Sequence, residues 1–531
     1  MSSPRVSIVT AVYNPPREAF EDTVRSVREQ TFADWEWILT DDCSPAPWVA
    51  ERLDRLAAEE PRIRVNHRPV NGGIVAASND SLAGATGEFV ALLDHDDVLS
   101  RRALATMVEA IDAGDEDGGP VDYAYSDQDL MTADGRRHSP YHKPDWSPER
   151  LRHHMYTSHF AVFRRSLVEE VGGFRAGFDG SQDHDLVLRV TERARGIVHV
   201  PEILYHWRQV EGSVAFGGGE AKPYAWDAGV RAVQEHVDRL GLSARVSRGR
   251  SPGLYHVERE ADTTTTVSII IPTIGSGGVV WGARRTMVTE TVRSVIAHSA
   301  HTAYELVVVY DAPTPGPVLK ELRDIADESG VRLKLIPFRE PFNFSAKCNV
   351  GALHSDGDVL VFLNDDMEAK TEGFIESLIA PLAEESVGAT GPKLLFENLT
   401  VQHAGVSYGS GELGHRYYKE RPDAIGNHGE LWINREVSVL TGACLAIRRP
   451  VFDAVGGFSE TFPVNYNDVD FCLKIRREGL RLVWLHDVVL YHFESISRSP
   501  DVRPWESRRI TRRWDNYRHV PERYSNRSVP R

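Results

Sequence analysis

The stretch Gly87-Glu88-Phe89-Val90-Ala91-Leu92-Leu93-Asp94-His95-Asp96-Asp97 runs five apolar residues straight into three carboxylates. A run this short and this apolar reads as a strand buried on both faces. A strand that ends in acids delivers them to the carboxyl edge of a sheet, where open α/β folds bind their ligands. Acids placed there can hold a divalent cation against phosphate oxygens. An acidic turn with no ligand has the same composition, so recurrence is the deciding observation. Asp358-Val359-Leu360-Val361-Phe362-Leu363-Asn364-Asp365-Asp366 has the same shape, with Asn364 standing where Asp94 stands.

Other polar landmarks recur with it. Asn79 precedes Asp94 by the same interval that separates Asn349 from Asn364. The interval from Asp42 to Asn79 matches that from Asp311 to Asn349 to within one position. Gln182-Asp183 comes before Tyr205-His206-Trp207, and Asn467-Asp468 before Tyr491-His492-Phe493, again with acid-to-histidine intervals that agree to within one position. Gly-Gly-Phe at 456–458 echoes 172–174. Landmarks held this closely in register indicate two copies of one long domain, not an array of short repeats.

Each copy therefore offers one set of groups. Asp42 and Asp311 follow a second strand and can accept hydrogen bonds from a base N–H or ribose hydroxyls. Asn79 and Asn349 sit on the helix before the acid-ended strand. Paired acids, or an acid and a histidine, can hold Mg²⁺ or Mn²⁺ on a diphosphate. A cation so placed neutralises charge as the diphosphate departs. A later carboxylate can take the proton of an attacking hydroxyl. Together these suit an inverting sugar transfer through an oxocarbenium-like transition state. Each residue also has a plainer use. Asp183 and Asp468 stand where they could cap helices, His206 and His492 could be core histidines, and Asp42 and Asp311 could be turn residues.

The elements that must position these groups alternate strand and helix. Strands are expected at Arg5–Tyr13, Trp35–Thr40, Ile63–His67 and the acid-ended stretch, and again from Val267, at Glu305–Val309 and at the second acid-ended stretch. Helices fall between them, and the pattern implies a parallel, doubly wound α/β sheet. The expected division is a first domain over 1–240, a linker over 241–266, a second domain over 267–500 and a basic tail over 501–531.

Composition narrows the classes further. At 531 residues the chain exceeds one core. A net charge of −16 argues against nucleic acid as a partner. Four cysteines, Cys43, Cys348, Cys444 and Cys472, form no CxxC pair and fit a reducing compartment. No secretory leader and no apolar run near the roughly 20 residues of a membrane span is evident, so a cytoplasmic protein is expected. The tail departs from this balance, with nine arginines from Arg503 onward among Trp505, Trp514, Tyr517 and Tyr524. That mixture suits the anionic surface of the inner membrane, or a basic helix packed on an acidic body.

The motifs resemble family-2 glycosyltransferases with the GT-A fold, twice over nearly the whole chain. In the first copy the resemblance rests on Tyr-Ser-Asp-Gln-Asp at 125–129, Lys-Pro-Asp-Trp-Ser-Pro at 143–148, Gly-Ser-Gln-Asp-His-Asp-Leu at 180–186 and Tyr-His-Trp-Arg at 205–208. These are similar to large bacterial O-antigen-type glycosyltransferases. In the second it rests on Phe-Asn-Phe-Ser-Ala at 342–346, Gln-His-Ala-Gly-Val at 402–406, Thr-Gly-Ala-Cys-Leu at 441–445, Asn-Asp-Val-Asp-Phe-Cys-Leu at 467–473 and His-Phe-Glu-Ser-Ile-Ser-Arg at 492–498, which also resemble rhamnosyltransferases.

The resemblance implies Asp183 and Asp468 as catalytic bases. It implies Asp42, Asn79, Asp94, Asp311, Asn349 and Asn364 around the nucleotide sugar, and Asp96, His206, Asp366 and His492 around Mn²⁺ or Mg²⁺. A UDP- or dTDP-sugar donor and a glycan or lipid-linked acceptor are the implied partners. Two departures stand out: Asn364 replaces an acid, which points to the second copy if one has lost activity, and Gln182 and Asn467 replace a glutamate before the base. No Gln-x-x-Arg-Trp string of processive synthases is present. A nucleotidyltransferase requires a Gly-rich basic loop after the first strand, which Asn14-Pro15-Pro16 and Ile274 to Gly278 do not supply. A non-catalytic glycan-binding protein remains the alternative that the fold alone does not separate.

Overall fold

The computed structural model describes residues 3–115, 118–209, 223–409, 412–494, 502–520 and 522–524. The first half contains strands β1 (Val6–Val12), β2 (Trp35–Asp41), β3 (Ile63–His67), β4 (Phe89–Leu92), β5 (Val98–Leu99), β6 (Tyr123–Met131), β7 (Arg137–Tyr141), β8 (Ala161–Arg164) and β9 (Ile197–Arg208). A hairpin of β10 (Ala244–Arg248) and β11 (Tyr255–Arg259) follows. The second half contains β12 (Val267–Thr273), the hairpin β13 (Gly277–Val280) and β14 (Ala283–Thr286), then β15 (Tyr304–Asp311), β16 (Arg332–Phe338), β17 (Val359–Leu363), β18 (Met367–Ala369), β19 (Val387–Leu395) and β20 (Val401–His403). It ends with the hairpin β21 (Val406–Gly409) and β22 (Glu412–His415), then β23 (Arg435–Glu436), β24 (Cys444–Arg448) and β25 (Arg481–His492).

The two main sheets correspond strand for strand. The first runs β3-β2-β1-β4-β8-β6-β9-β5, and the second β16-β15-β12-β17-β24-β19-β25-β18. The first four strands of each are parallel and the next is antiparallel to its neighbour. Helices cover both faces, so each half buries two apolar layers, one on either side of its sheet. This is the α/β architecture expected from the alternation of strands and helices.

A buried relay repeats where the acid-ended strand begins. Gly87 N–H donates to Ser7 Oγ at 2.8 Å, and that hydroxyl donates to Glu36 Oε1 at 2.6 Å. Gly357 N–H donates to Ser268 Oγ at 2.8 Å, and that hydroxyl to Glu305 Oε1 at 2.8 Å. A side chain at either glycine would meet the backbone nitrogen of that serine, at 2.7 and 2.5 Å. Only glycine lets the acid-ended strand lie this close to the first strand, and β4 and β17 are thereby placed at the centre of their sheets.

The β10–β11 hairpin, inside the segment expected as a linker over 241–266, is built into the first half, while Ala261 packs against the second. Val246, Tyr255 and Val257 of the β10–β11 hairpin lie in the first half's core. The short helix Pro148–His153, packed beside the hairpin, carries the first half's contact with the second. Glu149, Arg150 and Arg152 reach Glu436, Glu430 and Glu384, and Arg259 joins Glu149 to Glu384 at 2.6 Å each. Tyr141 stacks on His428 with ring centres 3.7 Å apart.

The described part of the tail follows the packing alternative. Helix Pro504–Arg513 buries Glu506 and Ile510, and Trp514 after it is buried in the second half's core. Trp514 Nε1 donates to Asp470 Oδ1 at 2.8 Å, and Arg513 pairs with the same oxygen at 2.6 Å. Glu506 accepts from the main chain and side chain of Asn465, both at 3.0 Å. Trp514 is thus core and does not face a lipid surface. Ser495 to Arg498 of the quoted 492–498 string, and 525–531 of the tail, lie outside the described residues. Deleting the chain after Arg503 is expected to expose an apolar face and strand Asp470, lowering the unfolding midpoint by several degrees in a thermal melt. An unchanged midpoint would return the tail to a peripheral role.

Candidate active site

β17 ends at Leu363, and the next three residues turn across the carboxyl edge of the sheet. There Asn364, Asp365 and Asp366 line a pocket of about 700 Å³ with Asp311, Asp468 and His492. The last residue of β25 is His492, and β25 pairs with β18 so that Met367 faces His492. That pairing brings Asp366 and His492 together although they lie far apart along the chain.

The hydrogen bonds around His492 decide where its lone pair points. Gln402 Nε2 donates to Glu494 Oε2 at 3.2 Å, which orients the amide. Gln402 Oε1 then accepts from His492 Nδ1 at 2.7 Å, so the lone pair of the neutral ring sits on Nε2. Nε2 accepts from the neutral Asn364 amide Nδ2 at 3.2 Å, a donor that can turn aside, and lies 3.2 Å from Asp366 Oδ1. A carboxylate oxygen and an imidazole lone pair facing each other at this distance repel unless a cation or a proton lies between them. A buried, oriented His–carboxylate pair of this kind fits a divalent cation. The outer support of Gln402 and Glu494 carries no warning in the strand pattern. Gln402 belongs to a motif of the resemblance, but nothing in its spacing assigns it to a histidine so distant in the chain.

Asp365 faces the other way. It accepts from Thr273 Oγ1 at 2.5 Å, and burial, with Asp366 beside it, pushes its carboxyl up to about 7. Lys347, on helix Phe344–Leu353, joins Asp311 Oδ1 at 3.1 Å and donates to the Thr273 carbonyl at 2.7 Å. One lysine thus ties together the ends of β12 and β15, and Asp311 stays on the pocket wall. Lys347 is a site residue that sequence reasoning misses.

Asp468 lies on the opposite wall. It is the second residue of helix Asn467–Arg477, whose preceding residue is Tyr466, so it is not the cap. Its carboxylate accepts from Gly442 N–H at 3.0 Å and from the Val469 N–H at 2.8 Å. Asp183 holds the same place in helix Gln182–Thr191, after Ser181. Neither acid is a plain helix cap, and the Gly442 bond aims Asp468 across the pocket.

In the first half Asp183 and Asp94 are close enough for their charges to interact. Burial, with the Asp94 charge added, pushes the Asp183 carboxyl up to about 7. Asp94 itself rises to about 6 through its crowded surroundings and Asp96, although its side chain reaches solvent, which moderates the rise. Asp97 is spent on structure: it accepts from Tyr205 Oη at 2.5 Å and Arg208 N–H at 2.7 Å, tying the acid turn to β9. A base with a carboxyl near 7 works only when deprotonated. Transfer by the first half is therefore expected to fall as pH drops below about 7, and a pH–rate profile flat from 5 to 8 would remove Asp183 from the rate.

Several of the expected site residues also carry structural bonds. His206 donates from Nδ1 to Asp129 Oδ1 at 2.6 Å, and its Nε2 accepts from Arg137 Nη1 at 3.1 Å. A guanidinium already occupies the side of His206 expected to face a cation, and Asp96 has no counterpart of the Asp366–His492 pair among the described residues. Asn79 and Asn349 each bind a turn of the chain. Asn79 takes both polar bonds of Phe174, N–H at 2.9 Å and C=O at 2.8 Å, and Asn349 does the same for Phe458, at 2.9 Å each. They clamp the Gly-Gly-Phe turns, where a side chain on Gly173 or Gly457 would meet the amide oxygen at 2.7 Å. Asp42 accepts from Gly72 and Gly73 N–H at 2.8 Å each and pairs with Arg68 at 3.0 Å, so its carboxylate helps open helix Gly73–Gly84. Asn349→Ala is expected to leave the Phe458 amide and carbonyl without partners and cost about 1–3 kcal/mol in urea unfolding. A urea midpoint indistinguishable from wild type would contradict the clamp.

The chain belongs to glycosyl transferase family 2, whose model matches residues 7–172 and again 268–456. It is 37% identical over 519 residues to an uncharacterized protein of Sinorhizobium fredii, covering 97% of this chain and 56% of that one. It is 38% identical over 520 residues to an O-antigen biosynthesis protein of Myxococcus xanthus, covering 96% of this chain and 39% of that one. A putative teichuronic acid biosynthesis glycosyltransferase of Bacillus subtilis matches 106 residues at 38% identity, 20% of this chain and 41% of the relative. The chain spans about half the length of the first two relatives.

Proposed function

We propose that the chain is a metal-dependent inverting glycosyltransferase that moves sugars from UDP- or dTDP-sugar donors onto a growing cell-surface glycan or a lipid-linked acceptor. The observation that carries this reading is the convergence of Asp366, His492, Asn364 and Asp468 on one pocket at the carboxyl edge of the second sheet. Asp366 and His492 would hold Mn²⁺ or Mg²⁺, which supplies charge neutralisation for the departing nucleoside diphosphate. Asp311, steadied by Lys347, accepts hydrogen bonds from the nucleoside. Asn364 offers an amide to a donor hydroxyl. Asp468 takes the proton of the acceptor hydroxyl as that oxygen attacks the anomeric carbon from the face opposite the leaving group, which inverts the centre. The O-antigen relative supports a glycan product. Among the described residues no helix is long and apolar enough to cross a membrane; a cytoplasmic site of action, reaching a lipid-linked acceptor at the membrane face, is part of the proposal.

A second reading concerns the division of labour. Arg137 against His206 favours the second half as the cation-dependent site, with the first half either using Asp183 without that cation contact or docking the acceptor. The sequence points the other way, through Asn364. A donor screen separates these. The protein is incubated with Mn²⁺ or Mg²⁺ and a panel of UDP-, GDP- and dTDP-sugars, and diphosphate release and thermal stabilisation are followed for wild type, Asp183→Asn and Asp468→Asn. Two donors, each lost with a different aspartate, establish two active sites. One donor lost only with Asp468 makes the first half a dock. No stabilisation by any nucleotide overturns the proposal.

A further inference from the structure

Away from both clefts, the junction of the two halves brings together three groups that neither site uses. His256 lies on β11, and His486 and Asp487 lie on β25. One ligand-type atom from each residue falls within 4.8 Å of the other two. His256 Nδ1 is 3.8 Å from Asp487 Oδ2, while the His486 nitrogen 3.8 Å from Asp487 Oδ1 is Nδ1, the one that Asn434 engages. These separations are too long for hydrogen bonds. In a tetrahedral site with bonds of about 2.0–2.2 Å, ligand atoms stand roughly 3.3–3.6 Å apart. His256 and Asp487 are thus spaced as ligands that close slightly around an ion, with a ring nitrogen of His486 within 4.8 Å of both.

The surroundings fit that use. Asn434 Oδ1 accepts from His486 N–H at 2.9 Å and from His486 Nδ1 at 2.8 Å. This fixes the ring and leaves the lone pair on Nε2, and an amide or carboxylate oxygen on the second nitrogen is the usual support of a metal-bound imidazole. His486 is buried, while His256 and Asp487 are partly exposed, so an ion has an entry path and water can complete its shell. Two imidazoles and one carboxylate suit Zn²⁺, Co²⁺ or Ni²⁺ better than Mg²⁺, which takes oxygen ligands.

We infer that His256, His486 and Asp487 form a transition-metal site that cross-braces the β10–β11 hairpin to the second half. The hairpin belongs to the first half's core, and His153 of the first half's interface helix places its ring centre 6.4 Å from that of His486. An ion here fastens the two halves at a point separate from the Arg–Glu contacts. It stands independently of the catalytic reading.

The test uses the full chain without a histidine tag, stripped with a chelator and titrated with Zn²⁺ or Co²⁺ alone. Metal content after gel filtration, the Co²⁺ visible spectrum and the melting midpoint are read in parallel. One equivalent is expected to bind, with a rise in midpoint, and to persist in Asp366→Asn, which removes the candidate catalytic ligand. His256→Ala, at a partly exposed position that keeps the fold, and Asp487→Asn are each expected to lose that equivalent and the rise in midpoint. Binding equal in wild type and His256→Ala, binding lost with Asp366→Asn alone, or no binding at all would each overturn the assignment. Circular dichroism of the stripped variants confirms that lost binding is not lost folding.

Discussion

Asp468→Asn is expected to lower transfer by the second half about 10²- to 10⁴-fold while donor binding persists. The magnitude is that of a positioned general base. An asparagine amide has the shape of the carboxylate and no site for the acceptor's proton. Its single oxygen can keep the Gly442 N–H bond, which holds the pocket wall, but gives up the Val469 N–H bond made by the other carboxylate oxygen, about 0.5–1.5 kcal/mol. What else it gives up in stability is small: the negative charge in the first turn of helix Asn467–Arg477 contributes about 0.3–1 kcal/mol through the helix dipole. A fall in rate of three orders corresponds to about 4 kcal/mol in the barrier, so the two effects separate cleanly. The measurement is single-turnover transfer beside thermal stabilisation by the nucleoside diphosphate. Stabilisation retained with turnover lost assigns Asp468 to the chemistry. Turnover within twofold of wild type removes it as base, and stabilisation lost together with turnover makes it part of the donor site instead.

The paired landmarks make the duplication legible in the sequence itself, because spacing survives when most side chains change. The alternation of strands and helices likewise yields the sheet, and the acid-ended strands its carboxyl edge. Spacing does not tell whether a shared landmark serves a ligand or the fold. Asn79 and Asn349 recur in register for a structural reason: each replaces missing backbone partners at a Gly-Gly-Phe turn. The echo of 172–174 in 456–458 is the visible half of that clamp, and the two observations belong together. Asp42 and Asp311 occupy equivalent strand ends yet differ in use, since Gly72 and Gly73 amides claim the first and Lys347 the second. His206 and His492 differ because of residues on different strands, Arg137 on β7 and Gln402 on β20. Contacts set by strand pairing between distant segments leave no periodic trace in one sequence.

The largest effect on stability is expected at the junction. Glu430 and Arg150 are 0% and 1% exposed, and they come from different halves of the chain. Glu430 Oε1 accepts from Arg150 at 2.9 Å, while Oε2 accepts from Arg416 at 2.9 Å and Tyr417 at 2.6 Å. Burial alone would raise this carboxyl. The Arg150, Arg416 and Arg435 guanidiniums override it and hold the group well below the usual carboxylate range. A carboxyl depressed on folding contributes stability above its unfolded value, about 4.3, and loses it as pH falls toward the folded value. Across pH 6–8 that contribution is fully present. Glu430→Gln keeps the volume and leaves Arg150 buried without its counter-charge, a change that costs about 3–5 kcal/mol. Because the pair spans the two halves, the loss falls on their docking. Calorimetry is expected to show one unfolding transition for wild type and two for the variant, the halves melting separately. Arg150→Met should split the transition in the same way, since it removes the same contact from the other side. One transition, with the wild-type midpoint in both variants, would mean that the apolar contacts and the Arg152–Glu384–Arg259 network hold the halves without this pair.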